Sequence, residues 1–213
     1  MAENPAAVIR PLRPVPLRRD ARRAPEARRP APPVSNALIA VLALLVAETM
    51  LFSGLIGAYL VFRVGTTAWP PPNLPRLPLA VTWVNTFVLI ASGITMVAAR
   101  RAARRDDQRA LRRGLATTAA LGITFLLVQG SEWARLIQHG LTLSAGMYGA
   151  TFYTLIGAHA AHVVGAVCWL GLVWWWAARG QLTGGRDAAV EACAIYWVFV
   201  CALWIALFGL VYQ

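Results

Sequence analysis

The sequence predicts an all-α membrane protein: a bundle of five transmembrane helices behind a polar N-terminal tail. Of the 213 residues, 58% are hydrophobic and 14% are charged, whereas soluble domains carry roughly 25% charged residues. Five apolar runs are long enough to cross the ~30 Å hydrocarbon layer, which takes about 20 helical residues. The basic residues cluster in the tail and between these runs. A water-soluble enzyme is therefore disfavoured.

The chain divides into two parts. Residues 1–35 hold eight of the 13 prolines and eight arginines, so this segment cannot form a regular helix or bury a core. We expect it to be a disordered cytoplasmic tail. Residues 36–213 form the transmembrane domain, with spans at about 36–62, 79–99, 114–136, 148–176 and 190–212.

The placement of the arginines predicts how the chain is oriented across the membrane. All 20 basic residues are arginine, with eight in the tail, seven in the 100–113 loop and two in the 177–189 loop. The three others, Arg63, Arg76 and Arg135, fall toward the opposite side. Basic loops stay cytoplasmic, so we expect a cytoplasmic N terminus and an external C terminus. The charge is interpreted as a topology signal that faces anionic lipid, not as a nucleic-acid surface.

Ionisable groups inside the spans need partners, since a charge at the membrane centre costs about 3 kcal/mol. Glu48 lies well inside the first span, and His159 and His162 share a face of the fourth span at a similar depth. We predict that these three side chains form a buried polar cluster. Gln129 and Glu132 form a secondary polar pair on the third span. Each feature also fits an ordinary interhelical hydrogen bond.

Small residues recur at close spacing in two spans and predict helix-packing faces, because they let backbones approach closely in lipid. We expect these faces to look into the bundle or at a partner subunit. The residues are Gly54 and Gly57 in the first span, and Gly157, Ala161 and Gly165 in the fourth.

The sequence shows no catalytic constellation. The two membrane histidines and Glu48 lack a further ligand for a metal, and no nucleophile arrangement is recognisable. The three cysteines lie in apolar runs without metal-site or disulfide spacing. We therefore expect no catalytic residue, no metal site and no cofactor bound by this chain.

Motifs in all five spans resemble one family. The most specific stretch is the fourth span, where Phe152-Tyr153, Gly157, His159 and His162-Val163 are similar to F-[FY]-x-[LT]-[TI]-G-x-H-x-x-H-V. The first span contributes Glu48-Thr-Met-Leu-Phe. Further similarities lie in Asn85-Thr86, in Gln129, Glu132 and Trp133, and in Tyr196-Trp197. The chain resembles subunit III of the haem-copper respiratory oxidases, the cytochrome c oxidase subunit 3 family, in its short five-helix form.

The resemblance implies a non-catalytic subunit of a terminal oxidase in a bacterial cytoplasmic (inner) membrane, active in aerobic electron transport. Such a subunit packs on catalytic subunit I, holds structural phospholipid, and supports proton uptake and complex stability, while haem and copper lie in partner subunits. Glu48 matches the family's carbodiimide-reactive glutamate. The chain departs from the motifs at Val198 and Cys201, where histidine and aspartate are usual, and at Gly93, where a serine is common.

Two alternatives stay open from the sequence. One is the subunit III-like accessory protein of nitric oxide reductase. The other is a small proton or solute transporter that uses Glu48 and the histidines as a relay, although the five spans show no repeated half.

Overall fold

The computed structural model describes residues 35–66, 69, 71, 77–182 and 187–212. These residues form five helices, and each is long and apolar enough to cross a membrane. The predicted all-helical fold with five spans is confirmed, and the chain is a multi-pass membrane protein. Of the tail predicted to be disordered, residues 1–35, only Ser35 is among the described residues, where it caps the start of α1; the rest lies outside them. The helices are α1 (Asn36–Val64), α2 (Leu79–Arg104), α3 (Gln108–Gln138), α4 (Met147–Ala178) and α5 (Asp187–Val211).

The connection between α2 and α3 is much shorter than the predicted loop of 100–113. Both helices continue past the apolar runs, and the turn consists of residues 105–107. Asp106 takes a positive φ of 56°, and the carboxylate of Asp107 accepts from the backbone N–H of Arg109 at 3.1 Å and of Ala110 at 2.9 Å. Arginine and alanine are good helix formers, so these helices continue beyond the apolar runs. The arginines of this region therefore project mostly from helix ends.

Helix α5 is the most enclosed of the five. It contacts α1, α2 and α4, while α3 lies between α2 and α4 and α1 lies against α4 and α5. Half of the apolar stretch of α5 is buried, compared with 11% for α1. The core is therefore built around α5, and α1 presents most of its surface outward.

Two buried tryptophans join α5 to α2. The indole N–H of Trp197 donates to the hydroxyl of Ser92 at 3.1 Å, and that of Trp204 donates to the hydroxyl of Thr86 at 3.0 Å. Each hydroxyl itself donates to a carbonyl of its own helix. Polar bonds of this kind link helices where no water competes. The α2–α5 contact is therefore both apolar and directional.

Helices α2 and α3 approach closely where Gly114 faces Ala99. A Cβ atom at Gly114 would lie 2.8 Å from the Cβ of Ala99, closer than van der Waals contact allows. The two helices are also linked by the hydroxyls of Thr95 and Thr118, 2.8 Å apart. A side chain at position 114 would therefore separate this pair of helices.

The arginine-rich end of the bundle carries an ion-pair group. Arg100 of α2 holds the carboxylate of Glu191 on α5 with two nitrogens, one of them 2.7 Å from the acceptor oxygen. Arg104 adds a contact at 3.2 Å. Two-nitrogen arginine–carboxylate pairs are directional as well as attractive. They fix the start of α5 against the end of α2.

Candidate functional site

Glu48 of α1 and His162 of α4 meet inside the bundle. The Nε2 atom of His162 lies 2.6 Å from Oε2 of Glu48, and the side chains are only 21% and 13% exposed. On the other edge of the ring, Nδ1 lies 2.6 Å from the carbonyl oxygen of Ala158. The imidazole therefore has a polar neighbour on each side.

The Ala158 carbonyl fixes the tautomer of His162. A carbonyl oxygen can only accept, so Nδ1 carries a hydrogen. The Nε2 atom then faces Glu48 either as the acceptor of a carboxylic O–H or as the donor of an imidazolium to a carboxylate. A carboxylate facing an unprotonated Nε2 would place two acceptors 2.6 Å apart, which is repulsive. A proton on either group would remove this repulsion, although Oε2 of Glu48 forms no directed hydrogen bond within the described part of the chain.

Apolar and aromatic groups surround this pair. Phe52, one turn after Glu48, is 1% exposed and packs edge-on against the His162 ring, with centroids 5.1 Å apart. Polar contacts in such low-dielectric surroundings are stronger than in water. The pair is therefore an attachment point between α1 and α4.

His159, the third residue of the predicted cluster, forms no hydrogen bond with the pair in the described part of the chain, and the three-residue cluster stays a prediction. The His159 side chain is 1% exposed and packs against Trp204 at 5.2 Å and Phe125 at 6.4 Å between ring centroids. Neither ring nitrogen has a hydrogen-bond partner among the described residues. Residues three apart on a helix differ by about 60° in direction, and this difference turns His159 toward α3 and α5 while His162 faces α1.

Gln129 and Glu132 are both buried, as their shared face predicts. They bind different partners. The amide of Gln129 donates to the hydroxyl of Tyr212 at 3.1 Å, whereas Glu132 accepts from Arg135 of the same helix at 3.0 Å. The predicted polar pair therefore splits into one interhelical bond and one local ion pair.

The small residues predicted to pack helices face mostly outward from this chain. A Cβ atom at Gly54, Gly57 or Gly165 would meet nothing within 4 Å, and Ala161 is exposed. At Gly157 it would lie 3.9 Å from the Trp133 ring. Only this last residue faces another helix of the described part. Packing of the others against a partner subunit stays a prediction.

Sequence reasoning missed Arg63 as a structural contact. Its Nη1 atom donates to the carbonyl of Leu210 at 2.7 Å, near the end of α5, where backbone carbonyls lack helical partners. The hydroxyl of Tyr59 donates to the same oxygen at 3.4 Å. The available signal was that Arg63 is one of only three arginines on the sparsely charged side, since cations favour helix C termini.

Potential metal ligands are dispersed over the described part of the chain. In residues 35–66, 69, 71, 77–182 and 187–212, no three His, Cys, Asp or Glu side chains come together as ligands. His162 already engages Glu48 and a backbone carbonyl, and His159 faces aromatic rings. The arrangement can hold a proton and join two helices.

Comparison with known proteins identifies the family. The profile of cytochrome c oxidase subunit III matches residues 31–213. The chain is 38% identical over 176 residues to cytochrome c oxidase subunit 3 of Synechocystis sp., covering 82% of this chain and 74% of the relative. It is 34% identical to the same subunit of Thermostichus vulcanus, and the match covers 82% of this chain and 86% of the relative. The probable cytochrome c oxidase subunit 3 of Mycobacterium leprae is 36% identical over 166 residues, with 78% and 81% covered. The chain belongs to the cytochrome c oxidase subunit III family.

Proposed function

We propose that the chain is the non-catalytic subunit III of a respiratory haem-copper terminal oxidase in a bacterial cytoplasmic membrane. The observation that carries this proposal is the partly buried Glu48–His162 contact in a five-helix chain that matches the family from residue 31 to residue 213. In this role the chain packs on catalytic subunit I. It supports proton uptake and complex stability, and it holds phospholipid.

The chain contributes no redox centre in this proposal. Its membrane histidines are occupied by Glu48, a backbone carbonyl and aromatic rings, as described above, which leaves no ligand pair for haem or copper. Those cofactors belong to the partner subunits, where oxygen is reduced. The work of this chain is therefore structural and electrostatic.

A proton held between Glu48 and His162 gives the pair its part in proton uptake. A neutral pair holds a proton at an interior position without the cost of an isolated charge. Both side chains keep some exposure, 13% for Glu48 and 21% for His162, so a proton can be exchanged with a partner surface.

The outward face of α1 supports packing on a larger partner. Three residues of α1 are buried within the chain, namely Val41, Phe52 and Tyr59. Gly54 and Gly57 lie open, and such small residues permit close helix approach in lipid. We assign this face to the contact with another subunit.

The test is purification of the tagged chain from its native membrane in mild detergent. We expect a haem optical spectrum and a co-purifying catalytic subunit. Glu48→Ala should keep the haem content per complex, yet lower the yield of chain in the complex or shorten the working life of the enzyme. Thr124→Ala is the control, because Thr124 lies on α3, is exposed, and bonds through its hydroxyl within its own helix.

Other outcomes would replace the proposal. Purification of the chain without haem proteins would contradict it. A co-purifying nitric oxide reductase would favour the accessory-protein alternative. Proton flux by the chain alone in liposomes would favour the transporter.

A further inference from the structure

An apolar groove of about 470 Å³ runs along the outer surface of α2 and α5. Nine of its ten lining residues are apolar or small, and the tenth is Arg101. Val198 and Cys201, where the chain departs from the subunit III motifs, both line it. In this chain the groove therefore carries no charged side chain except at the end formed by Arg101.

The groove has the length of one membrane leaflet. Its α2 wall extends from Ile90 to Arg101, and 11 residues span about 16 Å at helical rise. Half of a ~30 Å hydrocarbon layer is about 15 Å. An acyl chain that begins beside Arg101 would therefore reach the membrane midplane near Ile90.

Arg101 is available to an external anion. Its neighbours on α2, Arg100 and Arg104, share the carboxylate of Glu191. Arg101 is exposed, and it makes no ion pair within the described part of the chain. A guanidinium binds a phosphate with two parallel N–H donors. The free cation thus lies at the end of the groove where a phosphate would be bound.

We propose that this groove binds one acyl chain of an anionic phospholipid whose phosphate is held by Arg101. An apolar helix from another subunit would fill the groove but leave the guanidinium unneutralised, whereas an anionic lipid satisfies both parts. The walls are formed by side chains that stand outward, such as Ile94 at 65% and Ile205 at 50% exposure. The proposal deepens the lipid-holding role proposed above and rests on it, but it uses neither Glu48 nor His162.

The test counts lipids on the purified complex by native mass spectrometry, with added phosphatidylglycerol or phosphatidylcholine. Ala202→Trp fills the groove, because Ala202 lines it and is exposed. Ala120→Trp is the matched control on the exposed face of α3. We expect Ala202→Trp to remove one bound phosphatidylglycerol per copy of the chain and Ala120→Trp to remove none.

The contribution of the Arg101 charge is tested separately. We expect Arg101→Gln to weaken phosphatidylglycerol binding about tenfold, as loss of a charge-assisted contact implies, and to change phosphatidylcholine binding by less than about twofold. Arg105→Gln, in the turn after α2, should change neither. Equal lipid counts for both tryptophan variants would overturn the proposal. So would loss of a polypeptide from Ala202→Trp at unchanged lipid content, which would place a protein in the groove. Absence of haem proteins from the wild-type preparation would instead contradict the proposed function and leave the lipid count readable.

Discussion

Gly122 of α3 leaves the space that the Trp197 indole of α5 fills. A Cβ atom at position 122 would lie 2.5 Å from Cη2 and 3.0 Å from Cζ2 of that ring. Trp197 is 1% exposed and bonds Ser92 through its N–H, so the ring cannot move aside without loss of that bond.

We therefore expect Gly122→Ala to destabilise the protein by about 1–3 kcal/mol, the usual cost of overpacking a core. Thermal unfolding of the detergent-purified protein, followed by tryptophan fluorescence, measures it. Gly130→Ala on the same helix meets nothing within 4 Å and should be neutral or stabilise by up to about 1 kcal/mol. Equal melting temperatures for the two variants would show that α3 can shift without cost.

The Glu48–His162 contact should act as a unit in a double-mutant cycle. Glu48→Ala leaves Nε2 of His162 without its polar neighbour, and His162→Ala does the same to the carboxyl group. We expect each to cost about 1–3 kcal/mol and the pair to show a coupling energy of about 0.5–3 kcal/mol. Glu48→Gln keeps an N–H donor toward Nε2 and should recover most of the loss. Additive losses would contradict a direct interaction.

Thr86→Val should lower the free energy of unfolding of the protein by more than its small change in shape suggests. The hydroxyl of Thr86 accepts the indole N–H of the buried Trp204 at 3.0 Å, so valine leaves a buried donor unpaired at a cost of about 1–3 kcal/mol. Thr124→Val is the control, because Thr124 is exposed and its hydroxyl bonds within α3. We expect the free energy of unfolding of the control to stay within about 0.5 kcal/mol of the wild-type value. Denaturation in mixed micelles gives both values.

Arg63→Gln should loosen the end of α5. The guanidinium donates to the Leu210 carbonyl at 2.7 Å, and a cation at a helix C terminus contributes about 0.3–1 kcal/mol. We expect amide hydrogen exchange in the last turn of α5 to rise about two- to fivefold. Arg135→Gln should leave it unchanged, because Arg135 pairs with Glu132 within α3. Unchanged exchange in Arg63→Gln would assign the restraint to Tyr59.

The number of spans was predictable because the length of each apolar run can be compared directly with the thickness of the hydrocarbon layer. The helix ends were harder to predict. Arg100 and Arg104 lie beyond the apolar run yet belong to α2, because a helix continues where good helix formers follow the apolar residues. Their similar depth led us to predict that Glu48 and His162 lie close together, and Oε2 of Glu48 lies 2.6 Å from Nε2 of His162.

The direction of His159 could not be predicted in this way. Spacing places two histidines on one side of α4, but the choice between α1 and the Trp204 ring depends on which helix lies where. The same holds for Gly54 and Gly57. Their small size indicates a helix-packing face, but it does not indicate which molecule packs against that face.

The small buried share of α1 has a consequence for handling the protein. Its attachment depends on three enclosed side chains, the contact to His162 and the Arg63 restraint, whereas α2 to α5 interlock along their lengths. Harsh solubilisation should therefore detach α1 first and leave a four-helix remnant, so gentle detergents or native-lipid discs are the suitable media for isolation.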